Sequence, residues 1–293
     1  MVKSSIWTGR GVSVRGASHE RTGQKNQDAV RLKNPSGKDD LLILAVSDGH
    51  GSMRSFRSDR GAVFAAECSL RVLRQLLGRL GPDAPLSQVR HQAKMRWPRA
   101  LIDAWKAAVR ADVNACPFSP LDFAAFPEPA PVIKPGQDLP LLAYLAYGAT
   151  LVVVAVTRRY IIYSQLGDGD ILAMRANGSV SRPLPRQHEF MANQTISLCS
   201  EGAFNKFQVQ VEPCRAGAPA LIMLSTDGYA NCFGSDEGFY KVGADLLAYL
   251  RLEGIDYLGE ELTRWLRESS QDGSGDDITV GLAARPGALA VCS

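Results

Sequence analysis

Apolar and polar positions in this chain follow two rhythms. Residues 41–47, LLILAVS, are almost wholly apolar over the length of one strand and stop at Asp48-Gly49-His50-Gly51. Such a run, ended by turn residues, predicts a buried strand leading into a loop. From 57 to 80 the rhythm changes: Val63, Ala66, Leu70, Leu73, Leu76 and Leu77 gather on one side of a predicted helix. A second helix is expected over 86–113, where Leu101, Trp105 and Ala108 recur at helical spacing and Trp105 reads as core. Residues 117–140 hold Pro117, Pro120, Pro127, Pro129, Pro131, Pro135 and Pro140. They predict an irregular crossover loop inside one domain.

From 147 the pattern is that of strands. GATLVVVAV and YIIYSQLG are β-branched runs joined at Thr157-Arg158-Arg159. ILAMRANGSVSR follows, with Asn177-Gly178 as a hairpin signal. PALIMLST, 219–226, is a further buried strand, stopped at Asp227-Gly228. Helical spacing returns over 242–270 through Leu246, Leu247, Leu250, Leu258, Leu262 and Leu266, and the chain closes on Asp276-Asp277-Ile278-Thr279 and a strand, VGLAA. Residues 11–32 mix polar residues and glycines around the strand-like VSVRGAS. Strands clustered around hairpins favour antiparallel pairing over βαβ winding. Two sheets covered by helices on their outer faces give an α+β fold, a four-layer αββα sandwich. The whole of 1–293 reads as one domain.

Composition narrows the function classes more than the fold. The 293 residues are 45% hydrophobic and 22% charged, which excludes disordered, collagen-like and disulfide-scaffold proteins. A net charge of +3 is too mild to argue for nucleic acid or an anionic membrane as partner. The apolar run TLVVVAV, 150–156, is far short of the ~20 residues of a membrane helix. Six cysteines, none in a C-x-x-C pair, read as free thiols in a reducing compartment. No apolar leader stands in MVKSSIWTGRG, so the expectation is a soluble, cytoplasmic protein.

The candidate chemistry lies where strands end. Asp48 ends LAVSDGHG, Asp168 and Asp170 end YSQLGDGD, and Asp227 ends IMLSTDG. Asp28 in NQDAV and Asp276-Asp277 in GSGDDITV stand just before strands. Carboxylates held at the ends of buried strands are rigid and partly desolvated, and converging ones raise one another's pKa. Hard divalent cations, Mg²⁺ or Mn²⁺, relieve that repulsion, and a pair of them sharing a water makes a hydroxide nucleophile at neutral pH. His50 is a loop histidine two residues past Asp48, with an ordinary pKa near neutrality. His91 reads as a surface residue of a charged helix and His188 as part of a polar loop.

The order NQDA, DGHG, GAT, GDGD, STDG and DDIT resembles the metal-dependent protein phosphatases of type 2C, from residue 11 to 284. That resemblance implies an αββα sandwich with a binuclear Mg²⁺/Mn²⁺ centre between the sheets. It implies hydrolysis of phosphoserine and phosphothreonine in proteins, as in bacterial signalling with a cognate serine/threonine kinase. Carried over by position, Asp48 is the bridging metal ligand and Gly49 offers its carbonyl. Asp28 holds metal-bound water, Asp227 and Asp276 are metal ligands, and Asp168 serves a third metal. His50 is the general acid. A slip of one residue would exchange Asp276 and Asp277. The sequence departs from the family in two places. Gly23 stands where many members have a phosphate-gripping arginine, which leaves Arg21 and Lys25, with His19 near, as the candidate phosphate ligands. GDGD replaces Gly-Asp-Ser-Arg, and Asp170 reads as a turn residue. TISLCSEG, 195–202, falls where the family varies and is assigned no chemistry. Two other functions fit less fully: an inactive binding or regulatory module on the same fold, and a small-molecule phosphomonoesterase.

Overall fold

The computed structural model describes residues 7–33, 41–123, 139–186, 195–215 and 217–289. Most of the proline-rich stretch, His188 and Cys292 lie outside the described residues. Among the described residues, ten strands form two five-stranded antiparallel sheets. The first sheet orders β1 (Thr8–Val14), β10 (Ile278–Ala284), β9 (Leu221–Ser225), β6 (Asp170–Met174) and β7 (Val180–Ser181). The second orders β2 (Ala29–Lys33), β3 (Leu42–Ser47), β4 (Leu151–Val156), β5 (Tyr160–Leu166) and β8 (Gln208–Pro213).

The continuous apolar runs have a direct cause: these strands are buried on both faces. Leu42, Leu44 and Val46 of β3 point between the sheets, where they meet Val152, Val154, Ile222 and Leu224. Ile43 and Ala45 point the other way, into the layer under α2 (Ser58–Leu80), α3 (Leu86–Met95) and α4 (Trp97–Ala115). On the far face α7 (Asp236–Leu252) and α8 (Gly254–Asp272) cover the first sheet through Leu246, Leu247, Leu250, Leu258, Leu262 and Leu266. The layers are therefore α, β, β, α, as the sequence predicts. Trp105 is fully buried and its indole N–H donates to Gly61 O at 3.1 Å.

Two expected helices are each divided. The 86–113 helix breaks at Arg96, because Pro98 has no N–H to donate and fits only the opening turn of α4. The 242–270 helix breaks at Glu253-Gly254, and α7 starts earlier, at Asp236, where Ser235 Oγ accepts the Gly238 N–H at 3.2 Å. Two elements lack a periodic signal: α1 (Ala17–Thr22) and the edge strand β8, whose side chains are mostly half-buried. A short α5 (Leu141–Leu145) leads out of the crossover, and α6 (Asp227–Ala230) follows β9. Among the described residues the cysteines are free and no helix is long and apolar enough to cross a membrane.

Candidate active site

The DGHG turn is fixed by backbone, not by its own side chains. As β3 ends, Thr150 N donates to Asp48 O at 2.8 Å, and His50 N donates to Gly148 O at 3.0 Å. Gly49 N donates to Gln27 O at 3.1 Å. GAT, 148–150, is thus the support of the turn and precedes β4 rather than opening it. Two glycines are demanded by close approach. A Cβ on Gly49 would stand 2.6 Å from Ser58 O and 2.7 Å from Gln27 O. A Cβ on Gly148 would stand 2.5 Å from His50 Cδ2 and 3.1 Å from Cys199 Sγ. The imidazole of His50 therefore rests on Gly148, with the buried Cys199 thiol at the same spot.

Carboxylates from both sheets meet beyond this turn. Asp28 precedes β2 and is 8% exposed. Its Oδ2 accepts from Thr226 Oγ1 at 2.8 Å, while Oδ1 is buried without a hydrogen-bond partner among the described residues. Burial pushes the Asp28 carboxyl up to about 8; the Thr226 and Thr279 hydroxyls pull it down, and Asp277 and Asp227 add repulsion. Burial also holds Asp48 well above the ordinary carboxylate range, with further repulsion from Asp28 and Asp227. Asp48 and Asp227 stand close enough that each perturbs the other's carboxyl. Asp227, at the head of α6, is raised by burial and by Asp168, and its Oδ2 accepts from Asn231 Nδ2 at 3.0 Å. Asp168, in the β5–β6 turn, accepts from Thr195 Oγ1 at 2.9 Å. Burial lowers the His50 pKa, and the nearby Asp168 charge opposes that shift.

Asp276 and Asp277 diverge. Asp277 is buried and spends both oxygens on backbone: Oδ1 accepts from Gly16 N at 2.6 Å and Oδ2 from Gln27 N at 2.7 Å. His19 Nδ1 lies 3.0 Å from the same Oδ2. The Asp276 carboxylate accepts the N–H of Asp277 at 2.8 Å, and burial raises its pKa, with repulsion from Asp277 and Asp168. Asp276 repels Asp227 and Asp168, whereas Asp277 repels Asp28.

Arg21 is exposed on α1, and Lys25 is 83% exposed with Nζ 3.5 Å from Asp59 Oδ2. The structure leaves both on the surface of the α1–β2 connection. Asp170 is not a turn residue. It opens β6 at 1% exposure, with Arg182 Nε at 2.7 Å and Arg186 at 3.2 Å. The same two arginines pair with Asp236 at the start of α7.

Among the described residues no group of three or more His, Cys, Asp or Glu side chains forms a ready-made metal cage. The chemistry of the donors nevertheless fits a hard divalent cation. The side-chain donors are carboxylate oxygens, one of them, Asp28 Oδ1, is buried without a hydrogen-bond partner among the described residues, and the carboxylates repel one another.

The two antiparallel sheets, covered by helices on both outer faces, define an α+β sandwich with acidic residues at one end. Comparison with family models matches residues 15–267 to protein phosphatase 2C. The chain belongs to the protein phosphatase 2C family. Solved structures agree on the fold. The catalytic domain of serine/threonine phosphatase PstP in complex with two manganese ions is 17% identical, with 95% of this chain and 98% of that one covered and a TM-score of 0.54. The Mycobacterium tuberculosis phosphatase PstP/Ppp is 16% identical over 95% and 98% of the two chains, with a TM-score of 0.53. Stp1 from Staphylococcus aureus is 14% identical over 97% of each, with a TM-score of 0.56. Among curated proteins no sequence matches the chain.

Proposed function

We propose that the protein is a metal-dependent serine/threonine protein phosphatase. The observation that carries the reading is the convergence of carboxylates from both sheets, with buried Asp28 Oδ1 left without a hydrogen-bond partner among the described residues. Asp48, Asp227 and Asp276, with the Gly49 carbonyl, would hold two Mn²⁺ or Mg²⁺ ions, and Asp168 a third. When bound, the ions acidify water so that hydroxide is available at neutral pH.

The remaining work falls to the chain itself. Asp28, fixed by Thr226, orients water at the cluster. His50, fixed on Gly148, delivers a proton to the leaving oxygen of serine or threonine. Burial lowers its pKa, which makes the protonated ring a stronger acid. Arg21 and Lys25, cations on the adjoining connection, orient the phosphate. The substrates on this reading are phosphoproteins made by a serine/threonine kinase in the same compartment.

The test is phosphate release from a phosphothreonine peptide and from p-nitrophenyl phosphate by wild type, Asp48→Asn and Asp227→Asn in Mn²⁺. The reading expects turnover of the peptide by wild type and a loss of several orders of magnitude in each variant. Hydrolysis of neither substrate by wild type would favour a binding module, and hydrolysis of the small ester alone a phosphomonoesterase.

A further inference from the structure

Two recesses adjoin on the outer face of α2 near its C-terminal end. One, of about 550 Å³, is lined by Lys33, Leu70, Arg71, Arg74, Gly78 and Arg79, with Glu67 at its edge. The other, of about 610 Å³, shares Arg74 and Gly78 and adds Leu41, Arg158, Arg159 and Asp83. Arg71, Arg74 and Gly78 follow one another at i,i+3 and i,i+4 spacing and form one exposed stripe, with exposed Arg79 beside it around the helix.

Among the described residues that line the two recesses cations predominate, and the two carboxylates, Glu67 and Asp83, are already engaged, with Arg31 and Arg159 respectively. Among the described residues none of Lys33, Arg71, Arg74 and Arg79 pairs with a carboxylate. Arg71 and Arg74, three residues apart on the helix, repel, so the pair costs stability in the isolated chain. Gly78 adds to that cost, because glycine in a helix is less stable than alanine. Nothing inside the molecule requires it: a Cβ there would meet no atom within 4 Å. Its bare backbone instead deepens the groove where the two recesses join.

This surface is remote from the carboxylate cluster. α2 begins at Ser58, against Gly49, and its 23 residues carry the chain ~35 Å before the groove ends. Leu41 likewise stands at the opposite end of β3 from Asp48.

We infer that the groove is a docking site for an acidic, extended segment of a partner protein. Carboxylates of the segment meet Arg71, Arg74 and Arg79, and an aliphatic side chain rests on half-buried Leu41 and Leu70. The surface suits a peptide better than other polyanions. A lipid bilayer is flat and cannot enter two joined recesses, and the large exposed apolar residues Met53, Met95, Tyr249 and Leu252 do not line the groove. A single-stranded nucleic acid requires exposed aromatic faces for stacking, and the one aromatic residue here, Tyr160, is 4% exposed. This inference is independent of the phosphatase reading.

The test uses the full chain and three fluorescein-labelled decapeptides that share two leucines: one rich in Asp and Glu, one with Asn and Gln in their place, one with Lys. Fluorescence anisotropy follows binding at low and at physiological salt, with wild type, Arg74→Glu/Arg79→Glu, and Gly78→Leu. Wild type is expected to bind the acidic peptide in a salt-dependent manner, at least about tenfold tighter than the neutral one. Both variants are expected to lose about tenfold or more in affinity, the first by charge and the second by filling the groove, while the far-UV circular dichroism spectrum is unchanged. The inference is overturned if wild type prefers no peptide, or if both variants bind the acidic peptide as wild type does. It is overturned equally if phosphatidylserine vesicles bind wild type and the acidic peptide does not.

Discussion

Thr226 Oγ1 donates to Asp28 Oδ2 at 2.8 Å, and this bond joins the two sheets at the carboxylate cluster. Thr226 follows β9 of one sheet, and Asp28 precedes β2 of the other. The same hydroxyl accepts the N–H of Thr279 at 3.0 Å, so it is saturated on both sides. Thr226→Val keeps the shape and removes both contacts. It leaves a buried N–H and a buried carboxyl oxygen without partners, a loss of about 1–3 kcal/mol in stability. Urea denaturation checks this, and an unchanged midpoint would show that the bond contributes nothing.

The seat of His50 gives a second prediction. Gly148→Ala places a methyl group 2.5 Å from His50 Cδ2, and the ring must move. General acid help is worth about 10²–10⁴-fold, and matters most for a basic leaving group. The variant is expected to lose far more activity on a phosphothreonine peptide than on p-nitrophenyl phosphate. His50→Ala should show the same selectivity. Equal losses on the two substrates would remove His50 from proton delivery.

The raised carboxylates set a pH dependence for the metal-free protein. In the unfolded chain they ionise near 3.8, whereas folded Asp28 holds its proton to about 8, and Asp48 and Asp227 are raised as well. Between those values the folded protein binds more protons than the unfolded one, so stability falls as pH rises. In chelator, the protein is expected to be more stable at about pH 5.5 than at about pH 8, and Mn²⁺ to restore more stability at the higher pH. Equal or greater stability of the chelated protein at the higher pH would contradict this electrostatic picture.

Asp170 makes a structural prediction. It is buried between Arg182 and Arg186, which also pair with Asp236. Removing the Asp170 charge breaks the buried half of this network while Asp236 still pairs both arginines, a loss of about 1–3 kcal/mol. Asp170→Asn is expected to lower the denaturation midpoint accordingly. A variant as stable as wild type would reduce the cluster to a surface feature.

Much of the fold is legible in the sequence because β3, β4, β5 and β9 are buried on both faces and so read as unbroken apolar runs. The helix breaks at Arg96 and at Glu253-Gly254 are not legible in the same way, since apolar spacing continues across them. At the site, the strand-end aspartates stand out because each interrupts an apolar run. What periodicity cannot reveal is which polar residues meet across the fold. Asp277 binds the backbone of residues 250 and 261 positions away, and Thr226 reaches Asp28 across 198. The Ser-Thr before Asp227-Gly228 was the available signal for Thr226. Asp170 looks like a turn residue because its arginine partners come from beyond the next hairpin. TISLCSEG carries no motif, yet Cys199 packs against the place where His50 rests.

The central claim is that the gathered carboxylates form a metal centre that hydrolyses phosphorylated serine and threonine. Its most direct test is phosphate release from a phosphothreonine peptide by the purified chain, in Mn²⁺, after excess EDTA, and after Mn²⁺ is restored. The account predicts turnover that vanishes in chelator and returns with the metal. Undiminished turnover in EDTA, or none in any of the three conditions, would contradict it.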